Sequence, residues 1–291
     1  MTAAIYYFSG TGNSLVVARS IADQIGGEVM PIASLVSKEC IETDSDVIGL
    51  VFPVYNQGVP YIVKRFIDRL MDLEKKYIFA VCTSGSGPYL SLEYLDRMVR
   101  SKNGKLAAGF AIRMPYNYVS PVFAVKDFLK KFTFREISPE EQNKLYSDCE
   151  SKLERICQFV DGRSEGVIET SSAPMEHLID FLNLRETLQK TVWLKIAGFE
   201  GTTTLSFQES MQLMDYGFYS DEKCSSCGIC SRVCPVGNIK LDEGKPIWQH
   251  RCEQCFACFH WCPKTAIQFG CNTAGRKRYH HPYVDLSDML E

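Results

Sequence analysis

Eight cysteines between residues 224 and 262 are the side chains best placed to do chemistry. They stand as CSSCGICSRVCP and CEQCFACFHWCP, each spelling C-x2-C-x2-C-x3-C-P. The halves superpose at a shift of 28 residues, laying Cys224 on Cys252, Cys227 on Cys255, Cys230 on Cys258 and Cys234 on Cys262; Pro235 with Pro263 and Ile239 with Ile267 continue the correspondence. Three thiolates within seven residues can surround one face of an iron–sulfur cube, leaving its fourth iron for a sulfur from elsewhere. A pair of zinc sites is the competing reading. Zinc takes four ligands in a tetrahedron, usually as two short cysteine pairs across a longer spacer, and here a third cysteine would crowd one site. A disulfide framework needs an oxidising compartment. Residues 1 to 8 (MTAAIYYF) lack the basic start and long apolar core of an export signal.

These two runs resemble those of the bacterial-type ferredoxins that carry two [4Fe–4S] clusters, over about residues 216 to 270. The resemblance implies a small α+β domain in which the last cysteine of each run crosses to the other cluster. Cluster I is then held by Cys224, Cys227, Cys230 and Cys262, and cluster II by Cys252, Cys255, Cys258 and Cys234. Such crossing ties the halves together through metal, so a segment this small can fold around little apolar core.

The first strand pattern, residues 3 to 8, runs into Ser9-Gly10-Thr11-Gly12-Asn13-Ser14 and then a helical pattern over 13 to 25 ended by Gly26 and Gly27. Unpaired N–H groups at a helix start, with the hydroxyls of Ser9, Thr11 and Ser14, can bind a phosphate without a cationic side chain. The other reading is a plain strand–helix turn. A P-loop needs GK[ST], which is missing. A dinucleotide fingerprint needs glycine where Leu15 stands and an acidic residue where Met30 and Pro31 stand. The stretch FSGTGNS resembles the flavodoxin phosphate loop, whose ligand is flavin mononucleotide (FMN).

The elements that must position that loop follow in order. Apolar strands are expected at 46–54, 77–83 and 105–112, with a weak one near 28–31 and helices opening at Pro60 and near Tyr89. Five strands alternating with helices imply a doubly wound parallel sheet; the flavodoxin resemblance implies the order 2-1-3-4-5, with its ligand at the carboxyl ends beside strand 1. The loops expected to meet there also contain Pro53, Val54, Tyr55, Asn56 and Gly58, and Ser84, Gly85, Ser86, Gly87 and Tyr89. The resemblance implies that these two loops hold the flavin ring. Tyr55 and Tyr89 are the candidates to stack on it, or are ordinary surface aromatics; Gly58 or Gly85 would let backbone approach its edge. Neither loop contains a charged residue, so a reduced, anionic flavin is penalised less there. Residues Arg113 to Tyr118 (RMPYNY) read either as a cover for the ring or as a turn closed by Pro115.

Ser138-Pro139-Glu140-Glu141 starts a closing helix, with Cys149 and Cys157 as core thiols. The expected domains are 1–162, flavodoxin-like and FMN-binding; 163–215, a helical connector that begins with linker composition; 216–270, ferredoxin-type; and 271–291, a tail. In that tail Arg276 to Arg278 (RKR) reads as a solvated end or a dock for an acidic partner.

At 291 residues, 45% hydrophobic, 23% charged and net charge −3, the composition is ordinary for globular protein and makes no global case for nucleic acid or membrane binding. No stretch approaches a membrane span, and thirteen cysteines point to a reducing, oxygen-poor cytoplasm. Taken together the chain resembles the flavodoxin–ferredoxin fusion proteins of anaerobic bacteria and archaea. That resemblance implies an electron-transfer oxidoreductase with FMN and two [4Fe–4S] clusters, exchanging electrons with a soluble redox protein (a ferredoxin-type donor or a larger oxidoreductase) or a small organic acceptor. A dedicated carrier without its own substrate is the alternative. Oligomeric state and catalytic residues are not legible.

Overall fold

The computed structural model describes residues 2–119, 137–171, 178, 182, 184–270 and 273–290. Two compact units emerge: Met1–Tyr116 with Ser138–Pro174, and Asn117–Ile137 with Met175–Glu291. Among the described residues no helix is long and apolar enough to cross a membrane.

In the first unit the strands are β1 (Ala3–Tyr7), β2 (Gly27–Pro31), β3 (Val47–Pro53), β4 (Tyr77–Ser84), β5 (Leu106–Arg113) and β6 (Val167–Ile168). They form one sheet in the order β2-β1-β3-β4-β5-β6, with every pairing parallel. β1 and β3 are buried along their whole length, as strands covered by helices on both faces must be. This is the flavodoxin-like doubly wound order. Helix α1 (Asn13–Ile25) turns Leu15, Val17, Ala18 and Ile21 inward, and α3 (Tyr61–Arg69) buries Ile62, Val63, Phe66 and Ile67; a single turn, α2 (Ile32–Leu35), lies between them. α4 spans Ser91–Arg100. α5 (Pro139–Asp161) opens on the expected capping box of Ser138 and Glu141 and buries Cys149 and Cys157.

The sheet has six strands where five were expected. Val167 and Ile168 lie in the stretch 163–174, whose Ser, Gly and Pro content reads as linker, yet they pair with Ala108 and Gly109. Two residues are too few to show a period, and their anchors are side chains. Glu169 accepts the Ala111 N–H at 2.7 Å and meets Lys152 Nζ at 2.6 Å. Part of the expected connector helix, at 172–177, 179–181 and 183, lies outside the described residues. Its later portion is a π-turn over Arg185–Gln189 followed by α6 (Lys190–Ile196).

In the second unit α7 (Phe207–Ser210) and a 3-10 turn, Met211–Gly217, precede β7 (Phe218–Ser220), which pairs antiparallel with β10 (Ile267–Phe269). β8 (Ile239–Asp242) and β9 (Lys245–Trp248) form a hairpin, and one-turn helices α8 (Ile229–Arg232) and α9 (Ala257–His260) follow the cysteine pairs. Phe218, Trp248, Phe256, Phe259 and Phe269 are its aromatic core.

The tail departs from its solvated reading. Thr273, His281 and Val284 are buried. The Arg278 guanidinium donates to the carbonyls of Phe259, Thr265 and Ile267 at 2.7–2.9 Å, its carbon 3.3 Å from the Phe259 ring centroid. Three carbonyls and an aromatic face offset part of the desolvation of its charge.

Candidate functional site

The cysteines gather as two tetrads, each drawn from both halves. Cys230 has Cys262, Cys227 and Cys224 as its charge neighbours, and these four line one pocket walled by Ile229, Leu241, Pro246 and Ile267. Cys252 neighbours Cys255 and Cys258, while both Cys255 and Cys258 neighbour Cys234. Among the described residues no three His, Cys, Asp or Glu side chains are set to hold a single metal ion; the first tetrad lines an open pocket instead.

The duplicated sequence folds into duplicated backbone. Left-handed residues recur at the same shift: Ser226 with Gln254, Gly228 with Phe256, Gly237 with Thr265. Paired N–H···S bonds recur as well, from Asn238 N–H to Cys234 and from Ala266 N–H to Cys262, both 3.2 Å. Burial pushes the Cys230 thiol up to about 11 and that of Cys255 up to about 12, and raises Cys252 and Cys258 well above the ordinary thiol range. Such thiols are inert without metal, and a metal that binds them must displace their protons.

Asp215 escaped the sequence reading. Only 1% exposed, it accepts from His250 N–H at 2.9 Å and Asn238 Nδ2 at 2.8 Å, and meets His250 Nδ1 at 2.7 Å. Its charge acts on Cys252.

In the first unit the named loops converge at the carboxyl edge of the sheet. Gly12, at φ 93°, opens α1 with no side-chain cap. Ser9 Oγ accepts the Gly12 N–H at 3.0 Å, Ser14 Oγ pairs with Thr83 Oγ1 at 2.9 Å, and Asn13 Nδ2 donates to the Pro115 carbonyl. Part of the hydroxyl capacity expected for a phosphate is thus used to brace the loop itself. Val54 N–H bonds to the Thr83 carbonyl, continuing the β3–β4 pairing past Pro53. Tyr55 and Gly58 close a tight turn through left-handed Asn56 and Gln57, and the Tyr55 ring meets Phe8 edge-on. Tyr89 is held from β6's continuation: Ser171 Oγ accepts its N–H and Thr170 Oγ1 donates to its carbonyl.

Tyr116 lies on Gly85, where an added Cβ would come within 2.3 Å of the ring. Ser84 Oγ is buried with no hydrogen-bond partner. Gly87 faces Ser171, and Ser86 is exposed. A helix start with no side-chain cap and a buried hydroxyl without a partner fit a ligand with a phosphate and a polar ring. Arg113 is exposed at the end of β5. The chain leaves this unit after Tyr116, and Tyr118 packs instead on Trp193 and Phe256 in the second.

Comparison with known proteins finds the family described as "4Fe-4S binding domain" over residues 218–240. None of the curated proteins matches the chain. Among solved structures the chain is similar to the two-electron reduced flavodoxin of Megasphaera elsdenii, with 22% identity over 39% of this chain and 85% of that one, TM-score 0.31. It is similar also to an FMN-dependent NADH-azoreductase from Bacillus anthracis in complex with FMN, with 11% identity over 55% and 99%, TM-score 0.35. A flavodoxin from the domain Archaea shares 10% identity over 54% and 99%, TM-score 0.32. The fold assignment rests on strand order and register rather than on these scores.

Proposed function

We propose that this chain is an iron–sulfur flavoprotein that moves electrons between two [4Fe–4S] clusters and FMN. Cys224, Cys227, Cys230 and Cys262 would hold one cluster, and Cys252, Cys255, Cys258 and Cys234 the other. Residues 9–14 would take the flavin phosphate; the loops 53–58 and 84–89 would take its ring. When bound, the clusters supply one-electron chemistry and the flavin couples it to two-electron chemistry.

The observation that carries this reading is the exchange of Cys262 and Cys234 between tetrads, which a cluster pair needs and two independent zinc sites do not. Cys227 is exposed and Cys224 half-buried, and this supports a soluble redox protein as the partner at the first tetrad. The acceptor side would serve a small organic molecule or a larger oxidoreductase, in a reducing cytoplasm. The test is anaerobic purification followed by iron, sulfide and flavin analysis. About eight iron atoms and one FMN per chain are expected; zinc in place of iron, or colourless material, overturns the proposal.

A further inference from the structure

Superposable backbone does not give the two tetrads the same electrostatic surroundings. Beside the second tetrad Asp215 is buried, and its bonds from His250 N–H and Asn238 Nδ2 are those of a carboxylate acting as acceptor. Glu253, 6% exposed, acts on Cys234 and Cys255 of the same tetrad. On the other side Arg278 is fixed over the segment 259–267 by three hydrogen bonds and a ring face. Two of the carbonyls it holds, those of Thr265 and Ile267, follow Cys262 of the first tetrad in the chain, one, that of Phe259, follows Cys258 of the second, and Asp221 offsets part of its charge.

Accepting an electron adds negative charge to a cluster. A buried carboxylate opposes that addition and a guanidinium favours it, more strongly in a poorly screened interior than in water. Burial acts in the same sense: Cys255 and Cys258 are buried in the second tetrad, whereas Cys227 is exposed in the first. The backbone N–H···S bonds at Cys234 and Cys262 are matched in length; a further one, from Gln254 N–H to Cys252 at 3.3 Å, pulls the other way, but a neutral dipole acts against full charges.

We propose that the tetrads hold their clusters at different reduction potentials: Asp215 and Glu253 lower the Cys252, Cys255, Cys258 and Cys234 site, and Arg278 raises the site containing Cys262. Asp215 and Arg278 are positioning residues for charge rather than ligands. The exposed first tetrad is then the site reduced first. This inference rests on the two-cluster reading above.

The test is an EPR-monitored redox titration of the full chain, purified anaerobically and reduced with dithionite. Two one-electron steps are expected. Asp215→Asn moves the lower step up by a tenfold shift in its equilibrium or more, which is 59 mV for one electron, and leaves the upper step in place. Arg278→Gln moves the upper step down more than the lower, and Arg278→Lys restores most of it. A single coincident step in the native protein overturns the inference, and that measurement requires no variant to fold. So does an Asp215→Asn shift of both steps alike. Iron and sulfide assayed on the same sample separate the two failures: full iron with one step sinks this inference alone, and half the iron or less sinks the two-cluster reading with it.

Discussion

The two cysteine half-repeats share spacing, left-handed positions and N–H···S bonds, yet one is open and the other enclosed. Position 228 is glycine in the first half; its counterpart, Phe256, adopts φ 55° with a bulky side chain. That conformation costs about 1–2 kcal/mol for an L-residue. Phe256 is held there because its ring is 3% exposed among Phe218, Phe259, Phe269 and Tyr118. The residues of the C-terminal segment contact the second half: Arg278, Tyr279, His280 and Thr273 bond to or stack on residues between Phe259 and Phe269. Duplication therefore supplies ligand geometry twice, and what distinguishes the copies is what has been packed over them.

The sharpest way to break this comparison is to delete the same ligand from each half. Cys227→Ala should leave a folded chain short of about one cluster's iron, since Cys227 is exposed and its neighbours are solvated. Cys255→Ala should abolish soluble second-unit structure, because Cys255 sits in the enclosed half. Iron content and thermal unfolding check both. Equal losses would mean that the enclosure is without consequence.

Next in size is the paired position behind the ligands. Phe256→Ala should cost about 3–5 kcal/mol, the range for removing a buried aromatic. Gly228→Ala should cost about 1 kcal/mol, because its φ of 74° is strained for alanine. Denaturant midpoints on the iron-loaded protein measure the difference; a Phe256→Ala cost as small as that of Gly228→Ala would show that the left-handed phenylalanine is not held by its core.

The cysteine runs were readable because each is contiguous in sequence, but the exchange of Cys234 and Cys262 between them is what the resemblance implied and not something that spacing alone carries. The sheet was readable through alternation of apolar runs with helical patterns. The sixth strand was not, since Val167 and Ile168 pair through backbone and are pinned by Glu169, neither of which has a period. Asp215 gave no signal because its partners lie 23 and 35 positions away. In the RKR run Arg278 turns inward, toward backbone carbonyls that no side-chain pattern announces. Ser9 and Ser14 lie at the helix start as expected, but whereas Ser9 is spent on Gly12 three residues on, the bond of Ser14 to Thr83 depends on a strand 69 residues on.

A smaller effect should come from the bracket between the halves. Asn238, 1% exposed, donates to Asp215 and accepts from Gln249 and Arg251 N–H groups, whereas its repeat counterpart is Ala266. Asn238→Ala leaves those groups without partners and should cost about 2–3 kcal/mol. Thermal melts would register it, and an unchanged melt would show that water replaces the side chain.

The smallest effect concerns the covering segment and sharpens the comparison through pH. His281 is 2% exposed, and its Nδ1 accepts the Tyr283 N–H at 3.3 Å, as a neutral imidazole does. Burial, helped by the nearby His280, brings it down to about 4 from an unfolded value near 6.5. Between those two values the unfolded segment binds a proton that the folded segment excludes, so stability rises with pH across the window. The contribution is complete above about 6.5 and is lost as the pH falls toward 4. Amide exchange at residues 279–284, compared at pH 7 and pH 5 after correction for intrinsic rates, should show protection falling on acidification, while β1 and β3 keep theirs. His281→Gln should flatten the pH dependence. If the variant retains it in full, some other group loosens the cover, and the enclosure of the second half does not depend on His281 staying neutral.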